Sequence, residues 1–378
     1  MKSKKVLVSG CFDLLHGGHI AFFKTAASYG DLYVSVGRDD NLFNLKGKKP
    51  YFSEEERLFI VRSIKYVHEA FLAGGFGMLD FEPDIKRIKP DIFIVNKDGH
   101  TSDKEKLCKK IGIEYLVLER IPEEGLPARS SSGTKKEMRF PYRLCLAGGW
   151  IDQPWVSKIC PGSVVVAQIW PTLDFNNRSG LATSSREVGI KIWGDRYPEG
   201  DPLENAKILF GAENPPGKEY ISGSQDHLGL LMPGVNRLDY IGGYWPEKID
   251  STVDKDICDW LSKVIHLVPL KPRPAGYDPL KVMNLEKQFV KKLGESGFNC
   301  WESILKKDAI GLGKAMTDTL LMWKRILPLT VPDDIMKELE TNYFPNYNGA
   351  LTSGSGGGYI FVVSENEVSG AVKIRVRY

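Results

Sequence analysis

The stretch SGCFDLLHGGHIAFF (Ser9–Phe23) contains the end of an apolar strand, a short glycine-bearing turn and the start of a helix within fifteen residues. VLVSG (Val6–Gly10) supplies the strand, and Ile20, Phe22, Phe23, Ala26 and Ala27 recur at helical spacing. Strand, tight turn and helix make the opening of a βαβ unit. Outward from it, LYVSVG (Leu32–Gly37), DIFIVN (Asp91–Asn96) and IEYLVLE (Ile113–Glu119) read as further strands, and Leu58, Ile60, Val61, Ile64 and Val67 mark a second helix. Strands alternating with amphipathic stretches predict an α/β, doubly wound parallel sheet for this part of the chain.

Two of the six histidines, His16 and His19, fall at the helix start and flank Gly17 and Gly18. A helix N-terminus offers unpaired N–H groups and positive dipole, the glycines admit close backbone approach, and the imidazoles donate hydrogen bonds, so H-G-G-H there suits a phosphate. GCFDLLHGGH, followed by LKGKKPYFSEEERLFIVRSIKYVHEA (Leu45–Ala70), resembles the cytidylyltransferase-like nucleotidyltransferases, of the glycerol-3-phosphate cytidylyltransferase and heptose-phosphate adenylyltransferase type, over about residues 4–138. That resemblance implies transfer of CMP or AMP from CTP or ATP to a sugar or polyol phosphate, with Mg²⁺ and release of pyrophosphate. It carries Gly10, Cys11, Phe12 and Gly18 over to the nucleotide, His16 and His19 to the phosphates, and Asp13 and Arg57 to the acceptor. It also sets Lys46 and Lys48 against triphosphate and acceptor, where a bare reading gives a solvated basic loop. Ser130, Ser131 and Ser132 take the place of a phosphate-binding Ser-Thr-Thr. After the third strand the chain reads VNKDG, so Asp98 alone corresponds to the acidic pair of the pattern.

The Pro-, Gly-, Ser- and Lys-rich run from Pro122 to Met138 predicts a domain boundary near Arg139, giving domains 1–139 and 140–378. Beyond it RLCLAGGW and SVVVAQIW read as strands, Leu285–Leu293 and Ala315–Ile326 as helices, and Tyr359–Tyr378 as paired strands, a compact α+β domain. YRLCLAGGWIDQP (Tyr142–Pro154), SGLATSSREVGIKIWG (Ser179–Gly194), SGSQDHLGLLMPG (Ser222–Gly234) and ALTSGSGGGYIFVV (Ala350–Val363) follow one another. Together they resemble the GHMP kinases, most of all those acting on heptose phosphates. The resemblance implies that Gly180, Ser184 and Ser185 cradle ATP phosphates, that Asp226 is the catalytic carboxylate, and that Asp152, Gly356 and Gly357 meet the sugar. Read without it, Asp226 is an acid in the first turn of a helix and the last loop a flexible hairpin. Where the pattern has a long insertion, Pro171 and Gly180 are almost adjacent. A kinase coupled to the nucleotidyltransferase in nucleotide-sugar synthesis is the first expectation; a non-catalytic sugar-binding or oligomerisation module is the alternative.

The 378 residues are 42% apolar and 26% charged with net charge +3, ordinary globular values that leave no basis for a nucleic-acid or membrane partner. No run of about 18 apolar residues occurs. Six cysteines without a C-x-x-C pair point to free thiols in a reducing compartment, hence a cytoplasmic enzyme. No set of metal ligands is legible. Homodimerisation through the first domain is what the resemblance implies.

Overall fold

Val6, Leu7 and Val8 are wholly buried, as a parallel strand covered on both faces requires. A computed structural model describes residues 3–47, 49–175, 179–271 and 273–378, with the backbone alone for Lys136 and Glu137. Its contacts divide the chain into Met1–Lys136 and Glu137–Tyr378.

The first unit runs β1 (Lys5–Gly10), α1 (Gly17–Ala27), β2 (Asp31–Val36), α2 (Asp39–Lys46), α3 (Glu54–Arg62), β3 (Glu69–Leu72), α4 (Glu82–Ile88), β4 (Ile92–Asn96), α5 (Ser102–Ile111), β5 (Glu114–Leu118) and α6 (Ser131–Glu137). All five strands are parallel, in the order β3-β2-β1-β4-β5. The order reverses between β1 and β4, and in open α/β sheets ligands bind at the carboxyl ends of strands at such a switch point. The Gly10–His19 turn and the turn after Asn96 both lie there. The sheet has one strand more than the sequence suggests: α3 stops at Arg62, Ile64 and Val67 lie in the following turn, and the edge strand β3 comes next.

The second unit contains β6 (Tyr142–Ala147), α7 (Pro154–Ser157), β7 (Gly162–Ile169), α8 (Thr183–Trp193), α9 (Pro202–Glu213), α10 (Gln225–Leu231), β8 (Val235–Tyr240), β9 (Lys248–Thr252), α11 (Lys255–Val264), β10 (Ile265–Pro269), α12 (Lys287–Leu305), α13 (Ala309–Ile326), α14 (Asp333–Glu338), β11 (Gly349–Thr352), β12 (Tyr359–Val363) and β13 (Val372–Lys373). Two antiparallel sheets form, β6-β7-β8-β9 and β11-β12-β10-β13. The long helices α12 and α13 pack together, α12 also against β7 and α13 against β11. Tail residues 359–378 do not pair with each other: β12 and β13 flank β10, and Val376 bridges to Ile169 of the other sheet. Among the described residues no helix is long and apolar enough to cross a membrane. The six cysteines are free thiols.

Candidate functional site

In the first unit the turn after β1 is held in costly backbone: Phe12 and Leu14 both have φ of 50°, a region side chains with a Cβ rarely adopt. The strain sets up the start of α1. His16 is the N-cap; its Nδ1 accepts from Gly18 N–H at 3.1 Å, while its own N–H donates to His19 Nδ1 at 3.3 Å. Both Nδ1 atoms are thus acceptors, so each neutral ring carries its proton on Nε2. The rings lie 4.1 Å apart, and His16 Nε2 is buried with no partner. Two N–H donors are presented at a helix N-terminus, a fit for phosphoryl oxygens.

Burial, aided by His16 and Arg120, lowers His19 to about 4, and burial with Arg120 and Arg129 lowers His16 as well. Between pH 4 and 6.5 the folded chain therefore binds fewer protons at His19 than the unfolded chain does. His19 has no effect on stability above pH 6.5, and stability is lost as pH falls from 6.5 toward 4. The shift corresponds to about 3 kcal/mol. Denaturant unfolding of the first unit at pH 7, 5.5 and 4.5 is expected to show this slope, and His19→Asn, whose amide oxygen still accepts from His16 N–H, to flatten it.

A cavity of about 500 Å³ opens beside His19, while His16 and Gly18, expected at the phosphates and the nucleotide, are not in its wall. Gly10, Cys11, Phe12, Asp13, His19, Lys46, Asp98, Ser130, Ser131 and Ser132 line it, so the expected residues converge from both edges of the switch point. Ser130 Oγ accepts from Gly133 N–H at 3.0 Å, capping α6. Lys48 lies outside the described residues. Asp13 is less available than expected: Lys135 pairs with it at 2.6 Å and the Tyr51 and Phe52 amides donate to it. Burial alone would raise this carboxyl; Lys135 and the two amides outweigh that and hold it below its ordinary value.

Arg57 is placed differently from the expectation that it meets the acceptor. It is 0% exposed and absent from the cavity wall. Its guanidinium donates to Cys11 O at 2.6 Å, Phe52 O at 3.1 Å and Asp39 Oδ1 at 2.5 Å, tying the β1 turn to α2 and α3. Arg57→Ala is expected to destabilise the first unit by roughly 1.5–3 kcal/mol, the usual effect of losing hydrogen bonds made by a charged group, since Asp39 keeps access to water. Differential scanning calorimetry checks this, and KM for the acceptor in the folded fraction is expected to stay unchanged. Three cations in the cavity wall escaped the sequence reading: Lys104, Arg120 and Lys135. The legible signal for Arg120 was its place just past the carboxyl end of a parallel strand.

In the second unit a cavity of about 560 Å³ gathers all four loops: Asp152, Gly180, Ser184 and Asp226 line it, with Ser353, Gly354 and Ser355 of the last loop. Gly180, at φ 75°, backs onto that loop so closely that a Cβ would come within 2.6 Å of Ser353 and Gly354 backbone atoms. Ala182, at φ 56°, begins α8 with no side-chain cap bond, leaving first-turn N–H groups for an anion. Asp226, in the first turn of α10, is ion-paired with Arg143, a guanidinium that is itself buried. Trp150 enters from a turn with φ 81°.

Three expected residues lie elsewhere. Ser185 points away and bonds Glu213. Gly356 packs on Tyr277, and neither it nor Gly357 lines the cavity. Arg143, Gln153 and Tyr220 line it without having been singled out.

The family model described as cytidylyltransferase-like matches residues 7–137. The FAD synthase of Thermococcus kodakarensis is 40% identical over 125 residues, 32% of this chain and 81% of that protein. This chain belongs to the cytidylyltransferase-like family. The FAD synthase of Picrophilus torridus is 30% identical over 136 residues, 35% of this chain and 95% of that protein. The cytidylyltransferase-like unit is thus a nucleotidyltransferase domain, and the His16 and His19 arrangement lies inside the matched span. A solved D-glycero-D-manno-heptose 1-phosphate kinase from Bacteriodes thetaiotaomicron covers 63% of this chain and 94% of its own, at 14% identity and a TM-score of 0.39. A likeness that weak carries no argument, so the chemistry of the second unit rests on its own cavity.

Proposed function

We propose that the chain is a two-step enzyme of nucleotide-sugar synthesis: the second unit phosphorylates a sugar with ATP, and the first transfers a nucleotidyl group from an NTP to a sugar or polyol phosphate. His19, in the wall of a cavity at the switch point of a parallel sheet with His16 packed against it at the start of α1, is the observation that carries the first step. There an acceptor phosphate oxygen attacks the α-phosphorus, the bond to the β-phosphate oxygen breaks and pyrophosphate leaves. Two neutral donors, the α1 N-terminus and Lys46, Lys104, Arg120 and Lys135 meet the charge that builds up. The relatives favour AMP over CMP, since FAD carries an AMP half joined to a second phosphate.

For the second step, the Asp226 and Arg143 pair supports a kinase. A sugar hydroxyl oxygen attacks the γ-phosphorus, the bond to the β,γ-bridging oxygen breaks, ADP leaves, and the hydroxyl proton passes to the Asp226 carboxylate. Mg²⁺ on each triphosphate would neutralise phosphate charge. Among the described residues no cluster of three or more His, Cys, Asp or Glu could hold a resident metal. That fits an ion carried largely by phosphates and water, with Asp98 and Glu187 the exposed carboxylates in the two cavity walls. The short connection from Pro171 to Gly180 favours a second reading, in which this unit holds a sugar without phosphorylating it.

Calorimetric titration of the whole chain with ATP and with CTP in Mg²⁺ tests both readings. Two nucleotide sites per chain, one lost on replacing His16 and His19, support the two-step reading. A single site, lost with those histidines, leaves the nucleotidyltransferase alone.

A further inference from the structure

The Pro- and Gly-rich run that marks the domain boundary in sequence begins well inside the first unit, which extends to Lys136. Between β5 and Ser130 it crosses the start of α1. A turn closed by Leu126 N–H on Glu123 O at 3.0 Å, with Gly125 at φ 78°, brings two side chains onto that helix. Leu126 lies so close to Gly17 that a Cβ there would be 3.2 Å from its Cδ1, and Glu123 is ion-paired with Lys24 at 2.5 Å. Further along, Arg129 O lies 3.5 Å from where a Cβ on Gly18 would stand, a position also 3.0 Å from His16 Cε1. Residues 121–129 thus pass over the two glycines and the histidine that open the helix.

This path accounts for a mismatch at the site. Arg120 and Ser130, at the two ends of the segment, are in the cavity wall with His19, but His16, Gly17 and Gly18 beneath its middle are not. His16 Nε2 is buried without a partner, an unfavourable state for a hydrogen-bond donor. The segment is also held lightly. Leu126 is 51% exposed, and Lys24 and Glu123 keep 49% and 44% of their side-chain surface, so water screens their attraction. An unmade hydrogen bond beneath and weak ties above bring the closed and lifted arrangements close in free energy. We infer that residues 121–129 form a strap that lifts from α1 to admit a nucleoside triphosphate, uncovering His16 Nε2 and Gly18 for phosphoryl oxygens, and that the Lys24 and Glu123 pair sets the fraction of chains in which it is lifted. The inference rests on the nucleotide reading of this cavity.

Binding that needs a lifted strap is weakened in proportion to the fraction of chains in which the strap is closed, so loosening the clamp tightens it. Lys24→Glu and Glu123→Lys each replace attraction by repulsion at exposed positions outside the cavity wall. In calorimetric titrations of the whole chain with ATP and with CTP in Mg²⁺, each is expected to lower Kd at the histidine-dependent site by about 3- to 10-fold. The double variant restores the pair in reverse and is expected to return Kd to within about twofold of native. The two single variants change the charge near the triphosphate in opposite senses. Direct attraction would therefore weaken binding in Lys24→Glu and strengthen it in Glu123→Lys, whereas a released strap strengthens both. Opposite shifts, no shift, or weaker binding in both overturn the inference. A native chain with no histidine-dependent nucleotide site overturns the nucleotide reading and the strap with it.

Should a charge-reversed variant not fold, the native chain supplies a second measurement. Glutamate-specific proteolysis after Glu123 or Glu124 requires the segment to leave α1, and its rate follows the lifted fraction. Saturating nucleotide is expected to speed this cleavage by about threefold or more. Cleavage unchanged or slowed by nucleotide overturns the strap.

Discussion

His16→Asn is expected to leave the first unit folded and to slow pyrophosphate release by roughly 10²- to 10³-fold, the usual effect of removing one hydrogen-bond donor to developing charge. The substitution separates two functions of one ring. His16 Nδ1 caps α1 by accepting from Gly18 N–H, and His16 Nε2 is the unpartnered buried donor. Asparagine is among the best N-cap residues and preserves the first function, but its amide ends short of the position that Nε2 reaches. His16→Ala removes both, and is expected to add about 1 kcal/mol of destabilisation to the same loss of rate. The measurement is steady-state pyrophosphate release with ATP and with CTP, beside a denaturant midpoint for each variant. Full activity in His16→Asn would mean that the helix start holds phosphate through backbone N–H groups alone.

The first unit was legible because a parallel sheet buries both faces of its strands, so VLVSG, LYVSVG and DIFIVN appear as continuous apolar runs. β3 escaped because EAFL is four residues long and directly follows Ile64 and Val67, which extend the apparent helical spacing. At the site, the Gly and His turn is local and readable. Lys104, Arg120 and Lys135 are not: they lie far along the chain, two of them among other lysines with nothing to single them out, and only the strand order brings them to the site. Arg57 shows the opposite failure. Its charge suggests a ligand, but its three acceptors are Cys11, Phe52 and Asp39, and no one-dimensional pattern distinguishes a buried strut from a phosphate clamp. Ser184 and Ser185 make the same point on a helix, where successive residues are turned by about 100°; the cavity receives one and Glu213 the other.

Asp226→Asn is expected to abolish ATP-dependent sugar phosphorylation, by about 10³-fold or more, and to leave nucleotidyl transfer by the first unit untouched. The magnitude has two sources. The carboxylate is held by the Arg143 guanidinium at the first turn of a helix, where it can take the hydroxyl proton; asparagine cannot, which removes a general-base contribution of about 10²- to 10⁴-fold. The second source is Arg143, which burial already drives below its ordinary pKa. Without that counter-charge its guanidinium is expected to turn toward Asp152, the lining carboxylate that already acts on it, and to rearrange the wall against which the sugar would lie. The variant is therefore expected to weaken sugar binding as well as turnover, whereas a base that acted alone would lower kcat and leave KM in place. Adding Arg143→Met separates these effects: with the charge gone, sugar KM is expected to return toward the native value while kcat stays low. Unchanged phosphorylation in Asp226→Asn would place the base elsewhere in the cavity.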